Sequence, residues 1–279
     1  MKGFASWKRS LFSLLLGLLS FCSISGQTYK RIISLAPSLT MNLYYLESQD
    51  RLIGCTSYCE IAKTDNKPIV ASAVNTNIEK VISQDPDLVL APSTTSLETI
   101  AMLKRFGIEV EVFQTPDSFN EICSQFKRMG LLLGKVELAD KKIAIARLKV
   151  DSLQKECTWV DAPRIFIQIG AKPLYTVIPN TFMNDYIRFI NGTNLAFDLN
   201  RGTITRETVI ARNPDVIFIV TMGIIGNEEK EIWEDFREIN ASRNGRVFLI
   251  DANMACTPTP VSFVHTLDII VSLLNQSLV

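Results

Sequence analysis

Two stretches of this chain match each other without a gap, 128 positions apart. They are Asn77-Ile-Glu79-Lys-Val81-Ile82-Ser-Gln-Asp-Pro86-Asp87-Leu-Val-Leu90 and Thr205-Arg-Glu207-Thr-Val209-Ile210-Ala-Arg-Asn-Pro214-Asp215-Val-Ile-Phe218. Asn77 or Thr205 reads as an N-cap, whose side-chain oxygen accepts a free N–H of the first helical turn. The Glu that follows lies in that turn, where the helix dipole favours a carboxylate. A short helix runs on to the Pro, which cannot continue it. A short apolar strand comes next, at 88–91 and 216–220. Two copies at so long a period imply two similar lobes and not a solenoid.

The remainder of each lobe alternates in the same way. Strand patterns fall at 31–35, 52–56, 88–91 and 110–113 in the first half, with helical patterns at 40–46, 77–83, 96–106 and 118–133. Gly107 suits a C-cap after the third helix. The second half offers strands at 164–169, 216–220 and 246–250, and helices near 182–190, 206–212, 228–236 and 261–274. Near-continuous apolar strands between helices predict parallel sheets covered on both faces. Between the lobes, Ala139, Ile143, Ala146, Val150, Leu153 and Cys157 form one apolar stripe at spacings of 3 and 4. That pattern predicts one helix over 137–159, roughly 33 Å long at 1.5 Å per residue, as a stiff connector. The expected fold class is α/β: two Rossmann-like lobes joined by a single long backbone helix. The lobes span 27–136 and 160–279.

Residues 1–26 read as a cleavable secretory signal: Lys2, Lys8 and Arg9, then an apolar run over 11–21, then Ser23, Ser25 and Gly26. A bilayer span needs about 20 apolar residues, so this run is too short to cross one. Cys22 opens a second possibility, a lipid anchor, although Phe21 precedes it where lipoprotein signals carry a small residue. An exported chain keeps Cys55, Cys59, Cys123, Cys157 and Cys256, an odd number, so at least one stays unpaired. Cys55 and Cys59 are close enough to pair if their loop permits. Cys123 and Cys157 read as small buried apolar residues.

Charge and composition remove several functions. The 29 basic and 29 acidic residues cancel, and no basic cluster lies beyond the N-terminus, which excludes nucleic acid as a partner. One histidine, His265, cannot build a site of two or three imidazoles. No GxSxG, GxGxxG or Walker pattern occurs, so an enzyme is not expected. No resident cofactor or metal is expected either.

In the order and spacing of its motifs the chain resembles the periplasmic substrate-binding proteins of ABC importers for cobalamin, ferric siderophores and haem. The residues that carry the resemblance are Arg31-Ile-Ile-Ser-Leu-Ala-Pro-Ser38, Gly54-Cys-Thr-Ser-Tyr58, both Glu…Pro-Asp segments, and Trp233 with Gly245-Arg246-Val247-Phe248. It covers nearly all of the chain after the signal. The resemblance implies a periplasmic monomer that carries a small metal-chelate ligand to an inner-membrane ABC permease dimer with its ATPase subunits. It implies permease docking by Glu79 and Glu207, one carboxylate per lobe against arginines of a twofold partner. The plainer reading, two acids stabilising helix N-termini, is compatible with docking.

The resemblance places the ligand cleft between the lobes and points to a corrinoid, with a ferric siderophore or haem as the alternative. Tyr58 and Tyr175 fall where cobalamin binders carry aromatics, which suit a flat macrocycle. Ala73 and Arg201 stand where those binders carry Trp, and Pro92 where a further aromatic is expected. Met254 is a candidate apolar contact. Arg201 reads either as a cleft cation for an anionic ligand or as a solvated loop charge.

Overall fold

The computed structural model describes residues 29–72, 75–221 and 225–276. The signal reading of 1–26, Cys22 and Ala73 lie outside the described residues. In chain order the elements are β1 (Ile32–Ser34), α1 (Pro37–Tyr45), β2 (Leu52–Thr56), α2 (Glu60–Thr64), β3 (Ile69–Ala71), α3 (Ile78–Ser83), β4 (Leu88–Pro92), α4 (Leu97–Arg105), β5 (Glu109–Phe113) and α5 (Phe119–Leu133). Then come α6 (Val136–Glu156), β6 (Arg164–Ala171), β7 (Leu174–Thr176), α7 (Asn184–Phe189), β8 (Thr193–Asn194), α8 (Arg206–Arg212), β9 (Val216–Thr221), α9 (Ile225–Asp235), α10 (Asn240–Arg243), β10 (Val247–Asp251), α11 (Ala252–Ala255) and α12 (Pro260–Gln276).

The first lobe is a five-stranded sheet in the order β3-β2-β1-β4-β5, and every neighbouring pair runs parallel. The second has the order β10-β9-β6-β7, with β8 also against β6. Here the expectation of purely parallel sheets needs correction, because β7 runs antiparallel to β6. The long β6 divides its edge: Arg164 and Ile165 pair with β8, and residues 168–171 pair with β7. Strands of two or three residues show no readable period, so sequence reading passed over β3, β7 and β8.

Strand alternation distributes each lobe's core over two faces. Ile32, Leu88 and Leu90 enter one first-lobe cluster, while Ile33, Val89 and Ala91 enter the other. Ile165, Ile167 and Phe218 enter one second-lobe cluster, while Phe166, Ile217 and Ile219 enter the other. Both faces are therefore covered, as the apolar strands require.

The two copies of the repeat close their lobes in the same manner. Asp87 accepts the backbone N–H of Lys30 and of Arg31, at 2.7 and 3.0 Å. Asp215 accepts the backbone N–H of Arg164 at 2.9 Å and also pairs with its side chain. Each acid thus ties the start of its own strand to the start of the lobe's first strand. The residue before each proline, Asp85 or Asn213, is left-handed at φ 47° and 49°. The helix therefore stops before the proline is reached.

The link between the lobes is more than one helix. From α5, Phe119, Ile122 and Cys123 enter the second-lobe core, while Phe126, Met129 and Leu133 enter the first. In α6, Ala139 belongs to the first core and Ala146, Val150 and Leu153 to the second, with Ile143 packed against both. The α6 helix ends at Glu156, and Cys157 to Trp159 continue outside it. Asp185 of α7 adds a staple by accepting the N–H of Phe119, the first residue of α5, at 2.8 Å. Because α5 and α6 each pack into both cores, opening the lobes would separate packed apolar surface.

Candidate functional site

Open α/β sheets bind ligands beyond the carboxyl ends of their strands, where strand order reverses. That point falls between β1 and β4 in the first lobe and between β6 and β9 in the second. A cavity of about 510 Å³ occupies the first of these points. Its walls follow β1 (Leu35 to Ser38), β2 (Thr56, Tyr58 to Ile61) and β4 (Pro92, Thr94), and the second lobe closes it with residues of α11 and the loop beyond, among them Met254 and Cys256. A second cavity, of about 420 Å³, lies at the ends of β6 and β9 and shares Ala252 and Cys256 with the first. The cleft therefore sits between the lobes.

Of the residues singled out from sequence, Tyr58, Pro92 and Met254 meet in the wall of the first cavity. Tyr58 sits in the turn after β2 with half of its surface exposed, at 50%. Tyr175 and Arg201 are not brought to that wall. Tyr175 lies on β7, 43% exposed, opposite Gly170, which lines the second cavity. Its ring rests on the backbone of Gly202, where an added Cβ would stand 2.3 Å from Cε1. Arg201 is the exposed neighbour of that glycine. His265 is exposed on α12 and lines neither cavity.

The first cavity is apolar and bears little charge. Leu35, Ala36, Pro37, Met41, Ile61 and Met254 contribute to its walls. Among the described residues, Glu60 is the one carboxylate in them, paired with Lys63 at 2.6 Å, and no Lys, Arg or His lines it. The second cavity carries Lys172, Glu228 and Glu229 among Ile169, Val220, Ile225 and Ile232. These charged residues escaped sequence reading. Glu228 and Glu229 sit in an Asn-Glu-Glu-Lys-Glu run, which reads as a solvated helix face.

Cys55 and Cys59 are free, buried thiols and do not form the disulfide that their spacing allows. A hydrogen bond between them pushes Cys55 up, with burial adding to the effect. The same bond pulls Cys59 down against its burial, helped by the hydroxyls of Thr40 and Thr56 at 3.0 and 3.2 Å from Sγ. Cys123 and Cys157 are buried, as read from sequence. Among the described residues, no three His, Cys, Asp or Glu side chains gather to hold a metal ion. No helix among them is long and apolar enough to cross a membrane.

Glu79 and Glu207 are both exposed, each the second residue of its helix. Asn77 and Thr205 cap those helices by accepting from Lys80 N at 2.9 Å and Thr208 N at 3.3 Å. Each helix runs back along the lobe before the strand that follows it. Its N-terminus therefore lies at the carboxyl edge of the sheet, on the same side as the cleft. The Glu207 carboxyl is held below the usual range by its own backbone N–H and by Thr205.

The periplasmic binding protein family matches residues 32–254. An uncharacterised ABC transporter substrate-binding lipoprotein of Bacillus subtilis is 30% identical over 241 residues, covering 83% of this chain and 76% of its own length. A vitamin B12-binding protein of Vibrio vulnificus is 27% identical over 259 residues, covering 90% of this chain and 92% of its own length. The crystal structure of a possible iron-binding, periplasmic solute-binding protein of Staphylococcus epidermidis superposes with a TM-score of 0.78 at 26% identity, covering 89% of this chain and 99% of that one. Two lobes, an interlobe cleft and a family match over most of the chain agree: this chain belongs to the periplasmic binding protein family, the solute-binding components of ABC transporters, and is not an enzyme.

Proposed function

We propose that the ligand is a corrinoid, captured between the lobes and handed to an inner-membrane ABC permease dimer with its ATPase subunits. The observation that carries this reading is the charge of the cleft. Among the described residues, the first cavity has no cation in its wall, and carboxylates outnumber the single Lys172 in the second. A polyanionic ferric catecholate or a haem with two propionates would meet like charge there, at a cost. A corrinoid presents a flat, largely apolar ring edged with neutral amides, whose N–H groups suit Glu228 and Glu229. The vitamin B12-binding relative agrees in ligand class.

Tyr58 and Met254 flank the macrocycle, with Pro92 opposite. Tyr175 and Arg201 stand farther out and meet the ligand at the rim. The chain acts as a monomer, its two lobes presenting Glu79 and Glu207 to two permease copies, and it works outside the inner membrane after its signal is removed.

The test is to mix the purified mature protein with cyanocobalamin, desalt it and read the visible spectrum of the protein fraction. Corrinoid absorbance retained at near one equivalent is expected. A colourless fraction overturns the corrinoid reading. It would favour the second one, a ferric chelate as suggested by the iron-binding relative, with Lys172 and Arg201 as the first cations to replace.

A further inference from the structure

The second-lobe wall of the cleft contains an ion pair between a half-buried arginine and a buried carboxylate. Glu229 of α9 lines the second cavity, yet its side chain is only 5% exposed. Its Oε2 accepts Arg206 Nη2 at 2.7 Å and Gln168 Nε2 at 2.8 Å. Gln168 accepts the Trp233 indole N–H at 2.6 Å, and the Arg206 guanidinium lies 4.4 Å from the centroid of the Trp233 ring. Arg206 Nη1 is buried with no hydrogen-bond partner. Such a pair is tolerated only where its hydrogen bonds hold, and removing one member leaves an uncompensated charge. The network draws on β6, α8 and α9, so it fastens the cleft wall to the first turn of α8. Arg206 is the residue immediately before Glu207.

The repeat supplies an internal control. At the same offset of 128, the first-lobe counterpart of Arg206 is Ile78. Ile78 packs in an apolar cluster with Ile33, Val81 and Val89. The residue before Glu79 therefore carries no charge to be held from the cleft.

We propose that Glu229 and Arg206 let the second-lobe docking helix respond to what fills the cleft, while the first-lobe helix α3 stays indifferent to it. The inference rests on the corrinoid reading of the cleft and on Glu207 as a docking residue. A ligand N–H that reaches Glu229 draws on the carboxylate that holds Arg206. Any shift in that pair is delivered one residue from Glu207. A ligand without a differential contact at Glu229 would shift nothing. By reciprocity, permease engagement at Glu207 alters ligand affinity by the same factor that the ligand alters docking. In this arrangement Arg206 is a positioning residue.

Hydrogen exchange of α8 and α3 in the mature protein tests this, with cyanocobalamin as the probe. In the wild type, saturating cyanocobalamin is expected to change exchange in α8 by at least about fivefold and to leave α3 within error. The double variant Arg206→Ile/Glu229→Gln removes both charges and keeps an acceptor for Gln168. It is expected to bind cyanocobalamin more weakly and, once saturated with it, to lose the α8 response. Should it lose its cooperative melt, Glu229→Gln alone takes its place with the same expectation. Equal responses in α8 and α3, or an undiminished α8 response in the variant, overturn the inference while the corrinoid reading stands. A wild type that retains no cyanocobalamin overturns both.

Discussion

Asp185 is a buried acid whose work lies between the lobes. Its side chain is 6% exposed, it accepts the N–H of Phe119 across the lobe boundary, and Arg188 stands 3.3 Å away. Burial pushes its carboxyl above the usual aspartate range, and the Phe119 N–H and Arg188 offset this only in part. The folded protein therefore holds this proton more tightly than the unfolded chain does. The resulting stability is complete below the unfolded value and is lost as pH rises through the raised folded one. Asp185→Asn keeps an acceptor for Phe119 and has no charge. Its unfolding free energy relative to wild type should grow as pH climbs from below 4 to 7, measured by urea titration; parallel pH profiles would remove Asp185 as a titrating group. The tyrosines separate at the same scale. Tyr58→Ala should weaken corrinoid binding about tenfold or more, whereas Tyr175→Ala, at the rim, should cost severalfold at most. Calorimetric titration that ranked Tyr175 above Tyr58 would move the ligand toward β7. Sequence alone ranked the two equally, because a tyrosine in a loop and one on a two-faced edge strand have similar neighbours along the chain.

Elements decide how the lobes are joined. The apolar stripe of α6 was legible because its period is helical, but a stripe does not say which partner covers it. The structure divides it between two cores and adds α5 alongside. The two helices cross so closely that a Cβ placed on Gly130 would stand 2.6 Å from the Cβ of Ala139. Gly130→Ala should therefore destabilise the protein by about 1–3 kcal/mol, even though alanine favours an isolated helix by about 1 kcal/mol. Thermal or urea unfolding reads the sign, and a stabilised variant would mean that the crossing yields readily. The helices of the repeat were legible almost to the residue, since their caps and prolines are local signals. The short strands β3, β7 and β8 were not, since they exist through the partners beside them.

At the scale of the whole molecule, the two capped helices put Glu79 and Glu207 on the cleft side of two similar lobes. Glu79→Ala and Glu207→Ala should each leave cyanocobalamin retention unchanged and lower its uptake through the cognate permease, with a larger loss when combined. Normal uptake by the double variant would end the docking role. The sequence by itself determined that there are two α/β lobes, where each capped helix starts, and that no GxSxG, GxGxxG or Walker pattern is present. Those properties follow from repeat, period and residue type, which act over one or two turns of chain. Only the tertiary structure decided which residues share the cleft. Tyr58, Pro92 and Met254 come from the turn after β2, the end of β4 and α11, far apart along the chain. Arg206 finds Glu229 only because α8 and α9 pack on the same sheet. Long-range contact depends on how sheets stack and helices cross, and neither a periodicity nor a composition encodes that in a single stretch of sequence.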